Sequence, residues 1–478
     1  MKVIRNYLYN VGYNLLAILL PLITTPYVTR VLTSKGYGIN SYTSANIQYF
    51  VLLGSLGIAL YGNREIAYAA GRRDREGLTK SFWEIQIIKT VAIILSYLAF
   101  LIFMMFDIRY SNFMWIQSLN IVAAAFDISW LYMGVENFKL TVIRNTLIKL
   151  LSLVLIFTFV KTPHDVGTYI LILAGSTFGA NLTLWPYLRH VLVKVPLHSL
   201  HPLRHLMPII ILFVPQIATQ IYLQLNKTVL GLMISPTSSG YYYSSDQLVK
   251  IILTVVTSMG TVMLPHASKA FSKGHKELVN KYLYESFDFV TFLSVAMAFG
   301  LAGIGLHMGP WFFGQGYKPV GEAIMIESIV IVLIAWSNAV GQQYLLPTNK
   351  VHAYTASVVW GAVVNIIVDI PFVHLWGLNG AMWATVLSEF VVTAYQVWYV
   401  RKMVSLKNLF MSLPKYLLAG LIMFFPVFKM NITQRTTVWS IMSEVLVGIV
   451  VYLVLIFILK PTIVSRLKKF IEKRRARG

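Results

Sequence analysis

The chain has 478 residues and a mean hydropathy of +0.67, with 57% hydrophobic and only 12% charged residues. Soluble domains carry about twice that share of charged side chains, so this composition excludes an ordinary soluble protein. The absence of cysteine excludes disulfides and thiol chemistry. The net charge of +22 comes from basic residues between apolar runs, which does not indicate nucleic-acid binding.

Apolar runs of about 18 residues or more recur along the chain, and each could cross a hydrocarbon core of roughly 30 Å as a helix. Backbone groups in lipid must bond within the protein, and a β-barrel would instead show alternating segments of about ten residues. We therefore predict an all-α integral membrane protein with about fourteen transmembrane helices. The spans are expected near 8–32, 38–60, 82–105, 113–134, 143–161, 167–188, 206–233, 240–264, 285–308, 320–346, 352–375, 378–400, 411–428 and 438–460.

Basic residues are distributed unevenly between the predicted loops. With both termini inside, about 29 of the 40 Lys and Arg residues fall on the inner side and about 7 on the outer side. The positive-inside rule then predicts a multi-pass protein of the cell inner or plasma membrane with both termini cytoplasmic. The basic tail after residue 460 is expected to meet anionic lipid head groups.

Two stretches of the chain resemble each other. Residues 36–57 and 240–260 both begin Gly-Tyr, carry small polar residues, and end Ser-Leu-Gly or Ser-Met-Gly, and each follows a span interrupted by two prolines. We predict two parallel six-helix lobes related by pseudo-two-fold symmetry, an architecture of alternating-access transporters. The predicted domains are an N-terminal lobe, a C-terminal lobe, two added helices and a basic cytoplasmic tail, at 1–200, 201–403, 404–460 and 461–478.

Charged and amide side chains within the spans predict a polar central cavity with a cationic bias. Asp246 and Lys250 lie one turn apart on one face of span eight, with the acid first, which favours their pairing. Arg30 and Lys227 end spans one and seven. The amide side chains expected to line the same cavity are Asn10, Asn14, Asn46, Gln216, Gln220 and Gln224.

Structural interpretations of these residues stay open. Arg30 and Lys227 could extend to the interface, Asp246 and Lys250 could form a neutralised pair, and the amides could join helices. Lys89 and Lys149 follow inner loops and are expected to extend to the interface.

The remaining intramembrane acids are candidates for carrying a coupling proton or cation, H⁺ or Na⁺. They are Asp127, Glu327, Asp369 and Glu389. Four histidines between 190 and 205 have no acid near them in the sequence, so we predict an interfacial loop and no metal site. No Gly-rich phosphate-binding segment is present, so we expect no ATPase of its own and no cofactor.

Four stretches resemble the polysaccharide repeat-unit flippases of the multidrug/oligosaccharidyl-lipid/polysaccharide (MOP) exporter superfamily. They lie at 20–42, 130–145, 225–235 and 365–390, and read LPLITTPYVTRVLTSKGYGINSY, WLYMGVENFKLTVIRN, LNKTVLGLMIS and NIIVDIPFVHLWGLNGAMWATVLSEF. The resemblance implies fourteen helices in two lobes plus a final pair. Arg30 matches the basic residue closing the family's first helix, whereas Asn226 stands where members often have an acid, which puts ion coupling there in doubt.

The resemblance also implies a function and partners. Members are thought to move undecaprenyl-pyrophosphate-linked oligosaccharides from the inner to the outer leaflet for capsule, O-antigen or exopolysaccharide assembly. The expected partners are the lipid-linked oligosaccharide, membrane lipids, and the polysaccharide polymerase and assembly proteins, but no nucleic acid. Lipid-linked peptidoglycan precursor is another candidate cargo.

Two other functions compete with this one. An ion-coupled multidrug or metabolite antiporter of the same fold would need a coupling acid in the first half, where Asp127 is the intramembrane candidate. A membrane glycan polymerase or glycosyltransferase would need catalytic groups in a sizeable outer loop, and the predicted outer loops are short. We therefore expect a transporter and not an enzyme.

Overall fold

The structure, a computed structural model, describes residues 2–106, 109–466 and 472. It describes their side chains except at 2–19, 138–139, 197, 214–215, 218–219, 259–262 and 264–266. Within these residues the chain is built of helices and contains no strand, which confirms the all-α prediction. The chain divides into two compact units, Met1–Gly240 and Tyr241–Gly478, while the symmetry and the boundaries of the two lobes stay predictions.

Unit 1 contains nine α-helices and the beginning of a tenth among its described residues. They are α1 Lys2–Ser55, α2 Ile58–Gly71, α3 Arg75–Phe106, α4 Ser111–Gln117, α5 Leu119–Ala125, α6 Ser129–Gly134, α7 Phe138–Phe159, α8 Val166–Leu182, α9 Leu206–Met233 and the start of α10 Pro236–Ser272. Between α8 and α9 the chain forms short 3₁₀ turns at Trp185–His190, Leu197–Ser199 and Pro202–His205.

Unit 2 contains the rest of α10 and six further helices in the part of the chain that is described. They are α11 Lys276–Phe313, α12 Lys318–Ser337, α13 Val351–Val400, α14 Leu406–Phe410, α15 Leu413–Thr433 and α16 Val438–Leu459. A 3₁₀ turn at Gln315–Tyr317 precedes α12, and a π-helix at Asn338–Leu345 follows it.

Nine helical stretches among the described residues are long and apolar enough to cross a membrane. Two of them, Leu20–Gly71 with 52 residues and Val351–Val400 with 50, are each long enough to hold two predicted spans. Each is kinked where the backbone leaves helical geometry, at Thr33 (φ 63°) and at Gly377 (φ 56°). The prediction of many membrane-spanning helices is confirmed, and the count of fourteen stays a prediction.

Span four differs from its prediction as one continuous helix over 113–134. The structure divides this segment into α4, α5 and α6, and helical geometry is lost between Ala125 and Ser129. Apolar composition alone cannot reveal such a break, because the partners of the freed backbone groups come from other helices.

Aromatic side chains form the cores of unit 1. In one cluster Phe82 of α3 stacks on Trp130 of α6 with ring centroids 5.4 Å apart, and Tyr61 of α2 packs with them. A second cluster joins Tyr42 of α1 to Phe100 of α3. These cores hold α2, α3 and the pieces of span four in fixed positions.

Unit 2 is organised around α11. Small residues let α15 approach it closely, since Gly420 contacts Phe299 and Gly303 contacts Val427. Near the beginning of α11, Asp288 accepts hydrogen bonds from the hydroxyls of Tyr416 (3.0 Å) and Thr462 (2.7 Å). These bonds fasten α15 and the segment after α16 to the same helix.

The two similar sequence stretches begin side by side in the structure. Gly38 of α1 lies against Gly240 of α10, and the hydroxyl of Ser41 lies 3.0 Å from that of Ser239. A Cβ atom on Gly38 would lie 2.2 Å from the carbonyl oxygen of Pro236. This crossing therefore requires glycine, because the atom that a side chain would meet belongs to the backbone.

We expect Gly38→Ala to destabilise the protein by about 1–3 kcal/mol, since the two helices must move apart to admit the methyl group. Gly175→Ala in α8 is the matched control, because no atom lies within 4 Å of its Cβ position. The control should be neutral or stabilising by up to about 1 kcal/mol. Thermal unfolding in detergent measures both, and equal melting temperatures for the two variants would contradict the close crossing.

Candidate functional site

The break in span four lies inside unit 1, and its carbonyl groups are bonded by side chains from other helices. Asn181 donates to the carbonyl of Ala123 (2.8 Å), Gln86 to that of Ala125 (2.8 Å) and Trp185 to that of Phe126 (2.9 Å). Lys89 donates to the carbonyl of Asp127 at 2.6 Å. A helix end in an apolar interior is stable only when such partners replace water.

Lys89 and Asp127 bring opposite charges to this break. The Lys89 side chain is buried, with 3% of the residue exposed, and the Asp127 carboxylate accepts from the Ser129 amide at 2.9 Å. The prediction that Lys89 extends to the interface is wrong, because its ammonium is buried and bonded inside unit 1.

A polar groove of about 420 Å³ lies beside this network, between α1, α7 and α8. Its cations are Arg144 and Lys149, and its lining in the described chain includes no acid. The uncharged polar residues that line it are Thr24, Asn145, Ser152, Ser176, Thr177 and Asn181. The sequence analysis did not predict this groove, because the residues that line it are more than a hundred positions apart in the chain.

The two cations of the groove are held at depth. Arg144 donates to Asn145 Oδ1 (2.9 Å from Nε) and to the Ala180 carbonyl (3.3 Å from Nη1). Lys149 lies midway along α7, a helix of 22 residues that begins at Phe138 and not near 143. The expected interfacial position of Lys149 stays a prediction. Cations midway along a membrane helix indicate a functional site.

The charges in this part of unit 1 do not cancel. Lys89, Arg144 and Lys149 are three cations, whereas Asp127, whose main-chain carbonyl Lys89 bonds, is one acid. The described residues of the network and the groove thus carry two positive charges in excess. Such an excess inside a membrane protein is costly unless an anion or water occupies the groove.

The predicted cavity residues of unit 1 have varied surroundings. Arg30 is exposed on α1, and its guanidinium donates to the Pro26 carbonyl at 3.3 Å. Lys227 is half-buried on α9. Asn46 is buried, and its amide donates to the Tyr42 carbonyl of its own helix at 3.0 Å. The side chains of Asn10 and Asn14 lie outside the described residues.

The three glutamines of α9 are half-buried. Gln216 packs on Gly57, whose positive φ of 69° begins α2, and Gln216 also donates to the Leu212 carbonyl at 3.3 Å. Gln224 Oε1 is buried and has no hydrogen-bond partner among the described residues. Gln220 lies between them along the helix. A role for these amides in binding a substrate stays a prediction.

Unit 2 contains the Asp246–Lys250 pair that the helical spacing predicts. Lys250 Nζ lies 2.7 Å from Asp246 Oδ2, which confirms the pairing, and 47% of the lysine side chain is exposed. The carboxyl of Glu327 on α12 is buried and accepts from the hydroxyl of Ser245, the residue before Asp246, at 2.5 Å.

The other two predicted acids of unit 2 lie on α13. Asp369 is fully buried, and neither of its carboxylate oxygens has a hydrogen-bond partner among the described residues. Asn365, one turn earlier, is also buried, and neither atom of its amide group is bonded within the described chain. Glu389 is buried with 9% exposed. Asp369 thus differs from the other acids in lacking any partner there.

Three residues of the loop before α9 bond the same buried acid, Glu84 of α3. The carboxylate accepts from the His201 amide (2.7 Å), from Arg204 Nη2 (2.6 Å) and from His205 Nε2 (2.8 Å), while His205 Nδ1 lies 2.7 Å from the Tyr61 hydroxyl. An acid therefore does lie near these histidines, although it is distant in sequence. Its bonds fasten the loop to α2 and α3.

A larger cavity of about 750 Å³ in unit 2 is apolar. Its lining includes Trp376, Trp383 and Phe390, and Asn379 is its polar residue. Because this lining includes no charged residue in the described chain, the smaller groove of unit 1 is the stronger candidate for a charged ligand.

The first 271 residues contain a family signature: residues 3–271 match the model of the family described as polysaccharide biosynthesis protein. The chain belongs to this family. The resemblance to the polysaccharide flippases of the MOP superfamily is thereby confirmed. An Escherichia coli K12 protein provisionally named an O-antigen transporter is 24% identical over 399 residues, covering 80% of this chain and 93% of the relative.

Solved structures agree with this family in fold. The lipid II flippase MurJ, in an inward closed conformation, superposes with a TM-score of 0.72 at 16% identity and covers 94% of this chain and 98% of MurJ. An inward-facing multidrug resistance MATE transporter of the MOP superfamily gives a TM-score of 0.61 at 13% identity, with 80% and 95% covered. Family membership and fold make this chain a multi-pass membrane transporter of polysaccharide biosynthesis.

Lys89 offers a test of the network at the break. We expect Lys89→Met to cost about 1–3 kcal/mol, because it leaves the main-chain carbonyl of Asp127 without its hydrogen-bond donor. Lys80→Met, which breaks an exposed pair with Glu76, is the control and should cost at most about 1 kcal/mol.

Thermal unfolding of the purified variants in detergent measures these effects. Equal melting temperatures for Lys89→Met and Lys80→Met would show that the break does not depend on the buried lysine.

Proposed function

We propose that this protein is a flippase that moves undecaprenyl-pyrophosphate-linked oligosaccharide repeat units from the inner to the outer leaflet, for capsule, O-antigen or exopolysaccharide assembly. The observation that carries the proposal is the groove of unit 1 with its excess of positive charge, in a chain of the polysaccharide biosynthesis family. Relatives named as an O-antigen transporter and a lipid II flippase support the same class of cargo.

The charge of the groove suits a lipid diphosphate. A diphosphate that links a lipid to a sugar has one ionisable oxygen on each phosphorus, and the network and groove hold two cations in excess. Arg144 presents a planar guanidinium that suits phosphate oxygens, and Lys149 adds a point charge deeper along α7. In a low-dielectric interior such attractions are much stronger than in water.

The sugar and the isoprenoid tail of the substrate can also be accommodated by this part of unit 1. The hydroxyl and amide groups of Thr24, Ser152, Ser176 and Thr177 can exchange hydrogen bonds with sugar hydroxyls, which hydrocarbon cannot offer. Apolar side chains such as Leu147 (60% exposed) cover the outer face of α7. The isoprenoid tail can therefore stay in the bilayer while the head group occupies the groove.

The drug-antiporter alternative is disfavoured by the surroundings of Asp127. A cationic drug would need an acid free to receive it, whereas Asp127 already interacts with Lys89 and Arg144. The groove beside it would repel a cation. The enzyme alternative lacks support as well, because the relatives reported above are named as transporters and flippases.

Further features of the transport cycle are part of the proposal. We infer alternating access, cytoplasmic termini, and encounters with a polysaccharide polymerase on the outer side. Asp369, buried without a hydrogen-bond partner among the described residues, is a candidate for binding a coupling cation. Arg30, Lys227 and the glutamines of α9 are candidates for contacting the substrate.

Removal of the groove cations tests the proposal. We expect Arg144→Gln with Lys149→Gln to lower surface polysaccharide at least tenfold in a host that lacks the wild-type gene, because the diphosphate loses both cations. Lipid-linked repeat units should then accumulate on the inner leaflet.

The matched control is Arg189→Gln with Lys194→Gln, which removes the same charge from two exposed positions outside the groove. This variant should support normal polymer. Immunoblots for the membrane-inserted protein ensure equal amounts. Full polymer from the groove variant would contradict the assignment of the groove to the substrate.

A further inference from the structure

The large apolar cavity of unit 2 is a groove between α12 and α13, which we call the aromatic groove. Its volume is about 750 Å³, and its aromatic side chains are Phe372, Trp376, Trp383 and Phe390. Three of these rings face outward, with 55% of Trp376, 43% of Trp383 and 54% of Phe390 exposed. A hydrocarbon chain in this groove would contact side chains of both helices, which a flat membrane-facing surface does not allow.

The length of the aromatic groove matches one leaflet of a membrane. Its lining extends along α13 from Asn379 to Phe390 and along α12 as far as Leu333. Phe390 follows Asn379 by eleven residues, which is a rise of about 16 Å in a helix. Half of a hydrocarbon core is about 15 Å thick. The groove therefore has the length of a single lipid chain and is too short for a whole transmembrane helix of a partner.

One end of the aromatic groove is polar. The Asn379 side-chain amide donates to Glu322 Oε2 at 3.1 Å. Glu322 lies one turn into α12, after the turn at Gln315–Tyr317, and Asn379 lies two residues after the kink at Gly377. Non-helical backbone is not exposed to the hydrocarbon region, so a turn between membrane helices is expected at the level of the head groups. A lipid whose chain fills the groove would place its head group beside Glu322 and Asn379.

The polar end discriminates between head groups. Glu322 offers exposed carboxylate oxygens, and Asn379, whose NH₂ group bonds Glu322, offers its amide oxygen. These acceptors suit a primary ammonium, which has three N–H donors, and not a choline, which has none. Lys318, exposed one turn before Glu322, offers donors to a phosphate. Because this acid and this lysine balance each other, the diphosphate of a carrier lipid would gain no net attraction from them.

We propose that the aromatic groove binds a phospholipid with a primary ammonium head group, of the phosphatidylethanolamine type. One chain lies against Trp376, Trp383 and Phe390, while the ammonium donates to Glu322 and to the amide oxygen of Asn379. The site is built from α12 and α13 of unit 2 and does not depend on the cargo of the transporter. Its ligand joins the two helices and stabilises the folded protein by binding to it.

Native mass spectrometry of the purified full-length protein tests this site with dioleoylphosphatidylethanolamine, dioleoylphosphatidylcholine and undecaprenyl phosphate as probes. We expect the wild type to retain the ethanolamine lipid over the choline lipid by about fivefold or more, the effect of one net hydrogen bond. Glu322→Gln should remove most of this preference, because its amide is neutral. Trp383→Ala with Phe390→Ala should lose the bound lipid altogether.

The matched control is Trp439→Ala with Phe457→Ala, which removes the same two ring types from α16, where they are 78% and 67% exposed. This control should retain the ethanolamine lipid like the wild type. Equal retention of both phospholipids by the wild type would overturn the proposal, as would a groove variant that retains the ethanolamine lipid as well as the control does. Undecaprenyl phosphate, or a second copy of the protein, whose binding is lost only in the groove variant would also overturn it and would identify that molecule as the occupant.

Discussion

Hydrocarbon offers no hydrogen bonds, and this constraint governs the interior of the molecule. The break in span four exists because four side chains from α3, α8 and the turn after α8 replace water at its carbonyl groups. One of these, Lys89, introduces a positive charge, and its ammonium donates to the main-chain carbonyl of Asp127. The position of the groove follows, since Asn181 both bonds the Ala123 carbonyl at the broken end of α5 and lines the groove.

Charges that stay unbalanced mark the places where function is expected. In unit 1 the excess is positive and surrounds a polar groove, which suits an anionic head group. In unit 2 the Lys250 ammonium pairs with Asp246 at 2.7 Å, and Glu327 is a further buried acid whose carboxyl accepts from the Ser245 hydroxyl.

Sequence patterns predicted the features that depend on neighbours along the chain. Apolar length predicted the helices, and the i, i+4 spacing predicted the Asp246–Lys250 pair that the structure confirms. The starts of helices were less predictable, because α3 and α7 begin five to seven residues before their expected starts, and the burial of Lys89 depends on a carbonyl from another helix. The groove, the Glu327 contact and the bonds to Glu84 join residues far apart in sequence, and no local pattern indicates them.

Direct observation of flipping tests the central claim. The purified protein would be reconstituted into liposomes that carry a fluorescent undecaprenyl-diphosphate oligosaccharide, and a membrane-impermeant glycosidase would report the fraction accessible from outside over time. The account predicts that the initially protected inner-leaflet pool becomes accessible only in vesicles that contain the protein. The account would be contradicted if this pool stayed protected while the same vesicles exchanged an organic cation for protons, because the protein would then be active as a drug antiporter and not as a flippase.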